Sequence, residues 1–69
     1  MIYFVNILPQ SNGDHVIHTE NCAHLPNMRQ RTILGYFKTS MEAIEVAKKN
    51  YAKCNGCRDC SEAIYNNYN

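Results

Sequence analysis

Cys54-Asn55-Gly56-Cys57-Arg58-Asp59-Cys60 sets three cysteines at three-residue intervals, and some thirty residues earlier His18-Thr19-Glu20-Asn21-Cys22 supplies two more soft ligands at short spacing. Two close pairs separated by a long insert are the pattern of a four-coordinate zinc site. Each short spacing folds its pair around one ion, and the insert becomes a loop that the metal staples. The pairs so defined are His18 with Cys22 and Cys54 with Cys57. Asn55-Gly56 reads as a tight turn in which glycine accepts positive φ. Cys57 then opens a short helix whose free amide N–H groups favour a thiolate. Cys60 lies one helical turn further on and is expected to pack inward as core. His15 and His24 have no partner at fixed spacing and read as ordinary polar residues. The same cysteines admit another arrangement, since Cys22, Cys54, Cys57 and Cys60 offer four thiolates to an iron–sulfur cluster or a redox centre. No fourth cysteine followed by proline comes after Cys60, and zinc gives His18 a role, so zinc is favoured.

Length makes a staple necessary. A chain of 69 residues holds one small domain, whose core yields only ~3–5 kcal/mol. With 45% hydrophobic and 19% charged residues, the chain is too apolar for disorder and too polar for a membrane span. A net charge of +1 gives no reason to expect a polyanionic partner. Three thiolates on Zn²⁺ would bring the folded charge close to zero. The run Ile2-Tyr3-Phe4-Val5 lacks a basic flank and stops at Pro9, which makes a poor signal peptide. The expected location is therefore cytoplasmic, where cysteines serve as metal ligands more often than as disulfides.

Hydrophobic patterning predicts an α+β domain with a short antiparallel sheet of about three strands and two short helices. Ile2 to Leu8 and His15 to His18 flank the turn signal Ser11-Asn12-Gly13-Asp14 and read as a hairpin. Arg31 to Phe37 is the third strand, with Gly35 marking a bulge or a close approach. Thr39-Ser40-Met41-Glu42 is a capping box. Met41, Ile44, Ala47 and Tyr51 follow at helical spacing, and Asn50 is the expected left-handed terminator. The second helix is expected near Cys57, with Cys60, Ile64 and Tyr68 on one side and a fraying tail from Tyr65 to Asn69.

Several of these residues together carry a family likeness. His18-x-x-x-Cys22, Leu25-Pro26, Gly35-Tyr36-Phe37-x-Thr39-x-x-Glu42-Ala43 and Tyr51-x-x-Cys54-x-x-Cys57 resemble the Ada-like metal-binding domain. That family is the zinc-binding N-terminal module of a methylphosphotriester repair protein, and the resemblance spans about residues 16–57 of a single domain, 1–69. It implies a zinc ion held by His18, Cys22, Cys54 and Cys57. The methyl-accepting cysteine of the family falls at His18, and imidazole lacks a thiolate's nucleophilicity. The family's arginine ahead of the third ligand is also missing, since Asn50-Tyr51-Ala52-Lys53 stands there. Methyl transfer is therefore not expected of this chain.

The expected function is that of a small non-catalytic zinc module, a monomer whose metal supports a surface for a protein partner or a weak nucleic-acid contact. No Ser/His/Asp set, carboxylate pair or phosphate-cradling glycine loop suggests an enzyme. A DNA-binding, repair-related role is the alternative that the family likeness offers. Against it, the cations are divided between a loop holding Arg29 and Arg31 and a segment holding Lys48, Lys49 and Lys53.

Overall fold

In the computed structural model, which describes residues 1–66, the hairpin forms around its turn signal. β1 (Ile2–Asn6) and β2 (His15–Thr19) run antiparallel, with Phe4 opposite His18 and Val5 opposite Ile17. Gly13 takes a φ of 92° in the turn, and Asn12 Oδ1 accepts the Asp14 N–H at 2.9 Å, an Asx turn of the kind these residues favour. β3 (Arg31–Tyr36) adds to the other edge of β1. Tyr3 faces Gly35 while Phe4 faces Ile33, so Leu34 is the extra residue of a bulge. Gly35, with a φ of 135°, supplies the backbone freedom that the bulge needs.

The sheet has a fourth strand that the patterning did not disclose. β4 (Cys54–Gly56) pairs with β2 in parallel, giving the order β3-β1-β2-β4. Asn55 and Gly56 are thus extended strand rather than turn. A three-residue strand is too short to show an alternation of its own, and its two polar residues masked it.

α1 (Ser40–Ala47) crosses one face of the sheet, and its capping box is complete: Thr39 Oγ1 accepts the Glu42 N–H and Glu42 Oε1 accepts the Thr39 N–H, each at 3.3 Å. Ala43 and Ala47 are fully buried, whereas Met41 is 62% exposed. The buried stripe is thus set by the two alanines, which let the helix approach the sheet closely, and not by Met41. The helix closes through tight turns from Lys49 to Val46 and from Asn50 to Ala47. Asn50 is not left-handed, because positive φ occurs only at glycine among the described residues.

Among the described residues no α-helix follows Cys57. A turn leads instead into one 3-10 turn at Glu62–Ile64, and another such turn, Met28–Gln30, precedes β3. The expected inward face of Tyr68 and the fraying of 67–69 lie outside the described residues.

Strand alternation sorts the side chains into two faces. Tyr3, Val5 and Ile17 form the core with Ala43 and Ala47, and Leu34, Phe37, Ile44, Tyr51, Cys54 and Ile64 pack around them. Phe4, Val16 and His18 belong to the opposite face. Gly56 joins β4 to the segment after the turn. A Cβ there would collide with Ile64 Cγ1 and the Ser61 carbonyl oxygen, so the position needs an absent side chain rather than an unusual φ. Gly56→Ala should therefore destabilise the protein by about 2–3 kcal/mol, at the upper end of overpacking penalties. Denaturant unfolding of wild type and variant checks this, and equal midpoints would contradict the packing described.

Candidate metal centre

His18 comes to the centre from β2, on the face away from α1, and is only 5% exposed. The chain then reverses, as the Cys22 N–H donates to the Thr19 carbonyl at 3.2 Å and the Leu25 N–H to the Cys22 carbonyl at 3.1 Å. This places Cys22 back beside His18. From the other side, the Cys57 N–H extends the β2–β4 ladder to the Ile17 carbonyl, and the Ser61 N–H closes a turn onto the Cys57 carbonyl, each at 2.9 Å. That turn returns Cys60 to the same place.

One ligand atom from each of His18, Cys22, Cys57 and Cys60 lies within 4.8 Å of all the others. Cys22 Sγ and Cys57 Sγ are 3.8 Å apart, and Cys60 Sγ is 3.9 Å from His18 Nδ1. A tetrahedral zinc with Zn–S bonds of about 2.3 Å separates its sulfurs by about 3.8 Å. The cluster therefore has the dimensions of a single-ion site. Backbone amides point at two of the sulfurs, Thr19 N–H at Cys60 Sγ (3.3 Å) and His24 N–H at Cys22 Sγ (3.4 Å). Donors so placed stabilise thiolate charge.

Three of the four residues singled out by spacing thus meet, and the fourth does not. Cys54 sits opposite His15 in β4, packs against the core and donates its thiol to the Tyr51 carbonyl at 3.2 Å. The correction has a simple cause. Three residues of extended chain span about 10 Å, so the strand carries Cys54 away from any ion that Cys57 binds. Cys60 takes its place, because Cys57-Arg58-Asp59-Cys60 is the pair that folds back on itself. That second C-x-x-C is present in the sequence, but the Asn55-Gly56 turn signal favours Cys54 with Cys57 and leaves Cys60 to the core, where the structure does not put it. The four-thiolate set of Cys22, Cys54, Cys57 and Cys60 is not assembled for the same reason. His24 has more than an ordinary polar role, since its Nε2 lies 2.6 Å from Asp59 Oδ2 and so joins the two ligand loops.

Protonation in the absence of an ion follows from burial and these donors. Burial pushes the Cys22 thiol up to about 12, and hydrogen bonds with Cys60 and Cys57 add to the rise, against the lowering effect of the His24 N–H. Burial acts the same way on Cys60, but hydrogen bonds from the Thr19 N–H, Ser61 and Cys22 outweigh it and bring that thiol below its ordinary value. Burial, helped by the proximity of His24, lowers His18 and keeps its imidazole neutral, the form that ligates metal. Burial also raises the Cys54 thiol, which Lys48 only partly offsets.

Substitution separates the two cysteines. Cys60→Ala should abolish tight metal binding, while Cys54→Ala should keep the full metal content and cost about 1–2 kcal/mol for a lost core atom. Elemental analysis of both purified variants is the check, and metal loss in Cys54→Ala alone would contradict the geometry. No protein-family model, curated protein or solved structure matches the chain, so the assignment of this cluster stands on its own geometry.

Proposed function

We propose that this chain is a small non-catalytic zinc-binding module, in which one zinc ion held by His18, Cys22, Cys57 and Cys60 staples β2, the loop after it and the turn after β4. The observation that carries the proposal is the convergence of four ligand atoms within 4.8 Å. Zinc suits the donor set best, because one imidazole and three thiolates make a closed tetrahedral shell typical of structural sites. A catalytic zinc keeps one position open for water or substrate, and four protein ligands leave none.

Magnitudes support a structural role. Among the described residues the core cluster has Tyr3, Val5, Ile17, Ala43 and Ala47 as its buried members, and two of these are alanines. Burying a residue such as valine or isoleucine contributes about 1.5–3 kcal/mol. A structural zinc contributes about 10–16 kcal/mol of apparent binding energy, so the ion outweighs any single core contact. The stapled scaffold offers a partner the outer strand β3, where Ile33 is 59% and Tyr36 75% exposed. A nucleic-acid contact finds less support. The Arg31 guanidinium lies over the Phe4 ring and donates to the Pro26 carbonyl, while Lys53 Nζ donates to the Asn12 carbonyl. Among the described residues no helix is long and apolar enough to cross a membrane.

Two measurements test the proposal. The purified protein should hold one colourless zinc per chain, and a chelator should abolish its cooperative thermal transition. A brown protein, or a metal-free chain that melts as before, would refute it. Zinc binding should also release protons. A Cys22 thiol held at about 12 is protonated at neutral pH and must ionise to ligate, so affinity should fall as pH falls. Titration of zinc into weakly buffered protein near pH 7 should release at least one proton per ion, and release of none would show that Cys22 is not a ligand.

A further inference from the structure

The two halves of the metal centre are joined by one contact outside the ligand set. His24 and Asp59 are separated by 35 residues, yet His24 Nε2 and Asp59 Oδ2 lie 2.6 Å apart. His24 follows Cys22 by two positions, and Asp59 immediately precedes Cys60. The pair therefore ties the loop that carries Cys22 to the turn that carries Cys57 and Cys60. His24 also donates its backbone N–H to Cys22 Sγ, so holding its ring in place holds that donor on the sulfur. The side chains are 61% and 64% exposed, which leaves the contact open to solvent. Because a carboxylate only accepts hydrogen bonds, Nε2 carries the proton, and neutral imidazole is a sufficient donor.

The position of the pair is as informative as its chemistry. A cleft of about 800 Å³ opens on the sheet face away from α1, and its lining includes the ligands His18 and Cys57 as well as His24 and Asp59. The metal centre is thus approached from the side on which the two loops are tied. For zinc to leave, sulfurs must separate, and Cys22 sits on one of the tied loops while Cys57 and Cys60 sit on the other.

Building on the zinc assignment above, we propose that His24 and Asp59 are positioning residues that latch the metal centre and set the rate at which zinc is exchanged through the adjoining cleft. The latch acts on kinetics more than on the fold. An exposed pair contributes little to global stability, but this one must open in the step that parts the ligand loops. Arg58 stands on the same turn, lines the same cleft and has no bonded partner among the described residues, so it serves as the control.

The experiment measures zinc transfer from the loaded protein to an excess of a colour-forming chelator, 4-(2-pyridylazo)resorcinol, for wild type and single and double variants. His24→Ala and Asp59→Ala should each retain one zinc per chain and lose it about three- to fivefold faster, the change expected for an exposed pair of up to ~1 kcal/mol. The double variant should be no faster than either single one, as for two residues acting through one contact. His24→Gln, whose amide N–H reaches toward Asp59, should restore a near wild-type rate, and Arg58→Ala should leave the rate unchanged. Additive effects, failure of His24→Gln to rescue, or equal acceleration by Arg58→Ala would overturn the latch while leaving the zinc assignment intact. A wild-type protein that binds no zinc would overturn both.

Discussion

The parallel pairing of β4 with β2 governs the site. Its hydrogen bonds run from the His15 N–H to the Lys53 carbonyl at one end and from the Cys57 N–H to the Ile17 carbonyl at the other. Holding residues 54–56 extended forces neighbouring side chains to opposite faces. Cys54 enters the core, Asn55 is held by hydrogen bonds with Asn66, and Cys57 emerges beside His18. Gly56 lets the Ser61–Ile64 segment lie directly against the strand, which fixes where the returning turn delivers Cys60.

Core and metal centre share the same strands but use opposite faces. One face of β1 and β2 gives Tyr3, Val5 and Ile17 to α1, and the other gives His18 to the cluster. The two cooperate because neither is large. Among the described residues, three buried strand residues meeting two alanines of one eight-residue helix leave the turn after β4 with little apolar anchorage beyond Ile64. The ligands supply it, through two residues of that turn and one of the loop after β2. A metal ion held by the cluster would therefore couple its binding to the ordering of that turn.

Much of the scaffold was legible in the sequence because its signals are local. The Asn12-Gly13 turn, the bulge at Gly35 and the Thr39–Glu42 capping box each depend on a few adjacent residues, and each formed where its chemistry placed it. What was illegible depends on distant partners. β4 exists only because β2 offers it an edge, and nothing within Cys54-Asn55-Gly56 announces a strand. His18, Cys22 and Cys57 of the expected donor set do come together, but which cysteine joins them turned on whether Asn55-Gly56 bends or extends. Ile44, Ala47 and Tyr51 of the expected helical stripe do pack at the core, and only Met41 does not, for a related reason. Met41 is more hydrophobic than Ala43, yet the close approach of helix and sheet selects the smaller side chain.

The most direct test of the account is to replace the metal with ¹¹³Cd and record its scalar couplings to assigned side-chain protons by NMR. Couplings to the β-protons of Cys22, Cys57 and Cys60 and to the His18 ring, with none to Cys54, are the result the account predicts. A coupling to Cys54, or the lack of one to Cys60, would contradict it.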